Sequence, residues 1–278
     1  MWTQIVGKTR LSAPPSNHWW HIPFYVSARG LRAAPTTFGP TVIDVEFDFV
    51  DHVLLVRAND GRQRSIPLTA RPVAEFYEDY RRALESLGVM LRISLTPVEV
   101  ETAIPFPSDR EHAAYDATSM HLFWRALVQV DRVLHLFRGR FVGKVSPVHF
   151  FWGGFDLAVT RFSGRPAPPH PGGVPHVGDW VMREAYSHEV SSCGFWPGSP
   201  GVIDAAFYAY GYPEPDGYSG VKIEPAEALY HPDLREFVLP YDAVRMAKDP
   251  DEALLAFLQS TYDASANLAT WDRKGLER

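Results

Sequence analysis

The 278-residue chain has a single cysteine, Cys193. An internal disulfide is therefore excluded, and so is a zinc centre built on several thiolates. Basic charge is also short: 27 Lys and Arg stand against 33 Asp and Glu, a formal net charge of −6. Broad electrostatic attraction to nucleic acid is thus not expected. No run approaches the roughly 18 apolar residues needed to cross a bilayer. The start, MWTQIVGKTR, lacks an apolar core of signal-peptide length. A cytoplasmic protein without a membrane partner is the expectation. Glycine-rich phosphate loops and the GxSxG elbow are missing too. His188-Glu189 begins like the zinc-protease HExxH motif, but Ser192 stands where the second imidazole is required.

Aromatic residues are plentiful, at 13% with eight tryptophans, in an otherwise ordinary globular composition. Such a surplus builds a large core or a ring-lined pocket. The length allows one large domain or two modest ones. Val45, Phe47 and Phe49 alternate with Asp44, Glu46 and Asp48, and Asn59-Asp60-Gly61 marks a turn, so residues 41–68 read as an antiparallel meander. Ion pairing of Asp44, Glu46 and Asp48 with Arg57, Arg62 and Arg64 is the simplest account of that strand's polar face. Pro72 and Gly88 bracket a helix, and Leu91–Leu95 reads as a further strand. From Asp116 a helix steps through Met120, Phe123, Leu127, Val130, Leu134, Phe137 and Phe141. Ser146–Phe162 reads as two strands about Gly153-Gly154, followed by a proline-rich loop at residues 165–178. Ala205–Tyr212 and Glu236–Leu239 are strands. Asp249, Pro250 and Glu252 form a capping box for the last helix. The first thirty residues read as loop and short strand, and Met1-Trp2 as a strand entered partway, with relatives expected to begin earlier.

Three histidine-bearing clusters draw the chemistry. In Asn17-His18-Trp19-Trp20-His21, two imidazoles three apart are metal candidates on a helical turn, whereas extended chain turns them to opposite faces. In SPVHFFWGGFDLAVTRFSGR, residues 146–165, His149, Trp152, Asp156 and Arg161 lie in an apolar run. Burying such groups costs several kcal/mol unless each finds a partner. Asp156 and Arg161 are an odd number apart, so one regular strand turns them to opposite faces. The third cluster joins His188 and Glu189 to Cys193, Phe195 and Trp196. A lone cysteine beside Phe and Trp is usually a small buried hydrophobe. His121, Arg125, Arg132 and His135 read as a solvated helix face.

Taken together, NHWWH, FDFVDH at residues 47–52, the 146–165 segment, EAYSHEVSSCGFWPG at residues 184–198 and LPYDAVR at residues 239–245 resemble one bacterial family, a domain of unknown function. The resemblance covers nearly the full length. It implies one integral unit and transfers no catalytic residue.

The expected fold is α+β, mainly antiparallel, with a long central helix and a C-terminal helix. It forms one unit, with a first lobe at about 1–105 and a second at about 106–278. Three functional readings stand. The first is a small-molecule-binding or hydrolase-like protein of unknown cofactor. There His149 or His188 is the base, oriented by Asp156 or Glu189, and Arg161, Trp152, Trp20 and Trp196 bind the ligand. The second is a structural or interaction protein whose His and Trp serve the fold. The third is a metal-binding protein using His18 and His21.

Overall fold

A computed structural model describes residues 1–199 and 203–278. Helix α1 (Trp2–Lys8) precedes strands β1 (Phe24–Val26), β2 (Gly30–Ala33), β3 (Thr36–Phe38), β4 (Thr41–Asp48), β5 (Val53–Ala58) and β6 (Gln63–Pro67). Helices α2 (Val73–Ser86) and α3 (Ala117–Gly139) follow, then strands β7 (His149–Phe151) and β8 (Asp156–Pro166) and helix α4 (Asp179–Ala185). Strands β9 (His188–Trp196), β10 (Ala206–Tyr212), β11 (Leu229–His231) and β12 (Glu236–Pro240) come next. Helices α5 (Tyr241–Arg245), α6 (Pro250–Leu268) and α7 (Arg273–Leu276) are last. The described pairings are antiparallel and the class is α+β, as the sequence predicts. Among the described residues no helix is long and apolar enough to cross a membrane. Two compact units interleave along the chain. The first comprises Met1–Val128, Phe150–Gly154 and Pro171–Ala185; the second comprises Gln129–His149, Phe155–His170 and Tyr186–Arg278.

The first unit contains the expected meander. Strand β4 pairs with β2 on one side and β5 on the other, and β5 with β6. Alternation buries Val45 and Phe47, and Phe47 stacks on Phe76 of α2 at 6.5 Å. On the polar face, Arg57 lies 3.0 Å from Glu46 and Arg32 2.8 Å from Asp44, while Arg29 pairs with Asp48. Arg62 and Arg64 do not join this face: Arg62 pairs with Asp60 and Arg64 bonds Ser86. Gly88, at φ +84°, follows α2 where a left-handed residue ends a helix at least cost.

Two expectations fail in this unit. Residues 2–8 form a helix, not loop or strand. Thr3 to Lys8 are all buried, so no amphipathic period announces it. Residues 91–95 form no strand. The carbonyls of Ser94 and Thr96 accept from the Lys8 ammonium instead, and that of Leu95 from Phe106 N–H. Met90 and Leu95 stay exposed and Leu91 and Ile93 are only half-buried, so the alternating apolar residues are not packed into a core.

In the second unit the strands run in the order β8-β9-β10-β12-β11. Leu157, Val159, Cys193, Phe195, Phe207, Ala209, Phe237 and Leu239 are buried on one face, as are Leu254, Phe257, Leu258 and Tyr262 of α6. That helix starts as its sequence predicts: the Asp249 side chain accepts from Glu252 N–H at 3.0 Å, with Pro250 in the first position. Arg161 joins the core face at 1% exposure. Its guanidinium carbon lies 3.5 Å from the ring centre of Phe137, 4.3 Å from Tyr262 and 5.1 Å from Phe141, and its Nη2 donates to the Phe137 carbonyl at 2.5 Å. Burial pushes its pKa down to about 10.

Arg161→Ala should empty this cage and lower stability by about 3–5 kcal/mol, as deletions of large core side chains do. Arg161→Met, which refills it with an apolar chain, should cost less than about 1.5 kcal/mol. Urea midpoints would measure both; an alanine variant as stable as wild type would show that the cage contributes nothing.

Candidate functional site

The opposite face of the same five strands has a different character. Period-two alternation along β10 brings Tyr208, Tyr210 and Tyr212 to one side, away from Phe207 and Ala209. The registers Gly194↔Tyr208 and Ser192↔Tyr210 place two small residues of β9 beside those rings. On β8, Thr160 faces Ser192, and their hydroxyls meet at 2.8 Å. One step beyond the Leu157↔Phe195 pair, Asp156 stands beside Trp196; one step beyond Ala209↔Phe237, Glu236 stands beside Tyr210. His231 on β11 is the register partner of Glu236.

Tyr208 reaches from β10 across β9 and donates to the Asp156 carboxyl on β8. The crossing passes over Gly194. A Cβ there would stand 2.6 Å from the Tyr208 oxygen and would also meet the Leu157 carbonyl, so only glycine leaves the path open. Tyr210 shares a 2.7 Å hydroxyl–hydroxyl bond with Tyr186, whose ring stacks on His170 at 4.8 Å and meets Tyr212 edge-on at 5.1 Å. Tyr212 donates to the carbonyl of Pro168, which ties the start of the proline-rich loop to this end of the face.

Burial raises both carboxyls of this face well above their ordinary range. Burial pushes Asp156 up to about 6, partly opposed by the Tyr208 hydrogen bond. Burial, and then the charge of Asp156, push Glu236 up to about 7. No Lys or Arg pairs with either among the described residues, whereas Asp44, Glu46, Asp48, Asp79, Glu189, Asp251, Asp263 and Glu277 each face an arginine. Two partly buried carboxyls with ordinary phenols around them are thus left to hold one another's protons near neutrality.

Of the residues singled out in the sequence, Asp156 and Trp196 fall on this face, as does His188 at the far end of β9 by the same alternation. Arg161, expected to neutralise an anionic ligand, lies in the core beneath the same strands, because its odd separation from Asp156 turns it inward. His149 is 1% exposed, and burial pushes its imidazole down to about 3, which leaves it neutral and sealed from solvent. His188 begins β9, eight residues from Trp196, about 26 Å along the strand at ~3.3 Å per residue. Its Nδ1 meets Ser187 Oγ at 3.1 Å. Glu189 does not orient it: adjacent strand residues face apart, and Glu189 pairs with Arg165 at 2.7 Å. Cys193 is buried on the core face and pushed up to about 12 by that burial.

The His-Trp cluster lies in the first unit and makes structural bonds there. His18 and Trp19 take left-handed backbone, at φ +57° and +62°. The His18 ring bonds the Ala185 carbonyl at 3.0 Å, and Trp19 donates to Val181 at 3.0 Å. His21 Nδ1 accepts from Ser16 N–H at 3.1 Å. The Trp20 ring stands 5.3 Å from that of His18, and Trp152 donates to the Ile22 carbonyl at 3.0 Å. The two imidazoles thus go to separate backbone groups. Among the described residues no three of His, Cys, Asp and Glu are gathered to hold a metal ion. Missed in the sequence were Tyr208, Tyr210, Tyr212, Tyr186 and Glu236. The alternation Tyr-x-Tyr-x-Tyr at 208–212 and the glycine inside β9 were the available signals.

Two outcomes check this geometry. Tyr208→Phe removes a hydrogen bond to the ionised form, so the Asp156 midpoint should rise above about 6, read by carboxyl NMR titration. Both carboxyls titrate higher in the folded chain than at their ordinary 3.8 and 4.5. Their protonated forms therefore favour folding, a contribution fully present below about pH 4 and lost as pH rises through about 6 and 7. The urea midpoint of an Asp156→Asn, Glu236→Gln variant should gain on wild type across that window; parallel pH profiles would refute the assignment.

The whole chain, residues 1–278, matches the profile described as Family of unknown function (DUF5996). No curated protein and no solved structure matches it. The match extends over every element described above, both units included, and the chain therefore belongs to the DUF5996 family.

Proposed function

We propose that the tyrosine face of the second unit binds a small molecule, centred on Asp156, Tyr208 and Glu236. The observation that carries this reading is the unneutralised carboxyl pair. Many partly buried carboxyls elsewhere among the described residues pair with an arginine, and Asp109 and Asp131 with a histidine; leaving two with no cationic partner lowers stability at neutral pH. Destabilising groups of this kind cluster at functional sites. Trp196 and the rings of Tyr210, Tyr186 and Tyr212 give the same face apolar area beside its polar atoms, the usual make-up of a ligand site. A cytoplasmic setting belongs to the same proposal.

A hydrolase-like enzyme is the second reading, favoured by the position of both midpoints near neutrality. Carboxyls at about 6 and about 7 can give and take protons at physiological pH. In that version Asp156 and Glu236 are the acid–base pair, and Tyr208 holds Asp156 in place. The Asn17–His21 cluster serves the fold in either version.

A thermal-shift screen of metabolites against wild type, Asp156→Asn and Tyr208→Phe tests the site. Compounds that use it should raise the wild-type Tm by several degrees and lose most of that rise in both variants. If every stabilising compound acts equally on all three proteins, the face is not the site.

A further inference from the structure

We propose that the ligand of this face is an organic cation, a protonated amine carried on an aromatic or apolar body. The inference rests on the small-molecule reading above and names its chemical class. Three features of the face lead to it.

The first is charge. Asp156 and Glu236 are the acidic groups of the face, His231 is the register partner of Glu236, and no Lys or Arg pairs with either carboxyl among the described residues. A positive ligand supplies what arginine supplies elsewhere in the chain. The second is the ring surface, independent of the carboxyls. Tyr208 and Tyr210 lie nearly parallel, 14° apart with centres at 6.2 Å, and Tyr186 and Tyr212 continue the phenol surface along the strand. Phenol faces attract cations by about 0.5–2 kcal/mol each, more as water is excluded. The third is hydrogen-bond polarity. Tyr208 spends its one proton on Asp156, so its oxygen faces a ligand as an acceptor, as ionised carboxyl oxygens do. Ammonium, with donors and no acceptor, complements that set; a carboxylate or phosphate does not.

Other candidates carry less. A cleft of about 470 Å³ beside α2 is lined by Arg71, Arg82 and Arg110, but Asp79 and Glu75 already pair with them. The Asp109–His112 pair, at 2.8 Å, stands in a turn whose carbonyls cap α2. A metal cation in place of the amine lacks a third ligand among the described residues.

Calorimetry on the full chain with three probes of one shape decides the matter: phenethylammonium, 2-phenylethanol and 3-phenylpropanoate. The ammonium should bind at least about tenfold more tightly than the alcohol, and the carboxylate should not bind. Asp156→Asn and Glu236→Gln, each confirmed as folded by near-UV circular dichroism, should each lose about tenfold in ammonium affinity. Binding should also release a proton near pH 6.5, seen as a heat that varies with the ionisation enthalpy of the buffer, and Glu236→Gln should diminish it. Equal or tighter binding of the alcohol or carboxylate overturns the cation inference. If that binding is lost in Tyr208→Phe, the site itself survives. Absence of ammonium binding at millimolar concentration also overturns the inference, and the metabolite screen then judges the site alone.

Discussion

A guanidinium sealed beneath three aromatic rings decides which way strand β8 faces. No carboxylate pairs with Arg161 among the described residues; Phe137, Tyr262 and Phe141 hold it through their π-faces, and the Phe137 carbonyl accepts a hydrogen bond from it. Cation–π contacts gain strength where water is excluded, which offsets part of the cost of burying the charge. Side chains on a strand alternate, so Arg161 inside requires Leu157 and Val159 inside, and Asp156 and Thr160 on the other face. A slip of one residue would bury Asp156 among phenylalanines and expose two apolar side chains. The cage therefore sets the register, and the register delivers Asp156 to the tyrosine face.

Once β8 is set, Gly194 determines what Asp156 meets. Any side chain at that point of β9 would lie between β8 and β10 on this face. Glycine lets the Tyr208 ring cross a whole strand and bond a carboxyl 52 positions away in sequence. The bond lowers the Asp156 midpoint while burial raises it, and Glu236 is raised by burial and by the charge of Asp156. Burial outweighs the hydrogen bond, which is why both groups titrate near neutrality and not near 4. Both carboxyls stand among phenols, which do not ionise near neutral pH, so no neighbour compensates.

Local signals were legible in the sequence and long-range ones were not. The meander from Thr41 shows itself through alternation and the Asn-Asp-Gly turn, and α6 through its capping box, because neighbours in sequence fix both. Helix α1 was hidden because it is buried on nearly every side and so has no polar stripe. Residues 91–95 looked like a strand from composition, but Lys8 and Phe106 claim the carbonyls that a ladder would need. At the site, the cost of burying Asp156 and Arg161 was readable, and their opposite facing followed from strand period. Their partners were not readable: rings from α3 and α6 surround one, and a tyrosine two strands away bonds the other. An imidazole suggests catalysis, whereas burial makes His149 a neutral core group.

The aromatic surplus divides into two kinds by what the polar atom of each ring can still do. An indole has a single donor and no acceptor. Trp19, Trp124 and Trp152 each spend that donor on a backbone carbonyl, at Val181, Ser27 and Ile22, and nothing polar remains to them. They are finished contacts, and they serve the fold. A phenol both donates and accepts, so Tyr208, Tyr210 and Tyr186 keep lone pairs after their protons are placed. Added to two carboxyls that no Lys or Arg meets among the described residues, those lone pairs leave one face of the second unit short of strong donors. Water fills such a deficit, though weakly where the rings restrict it. A ligand carrying both positive charge and protons fills it better, and the phenol faces give that ligand its apolar contact.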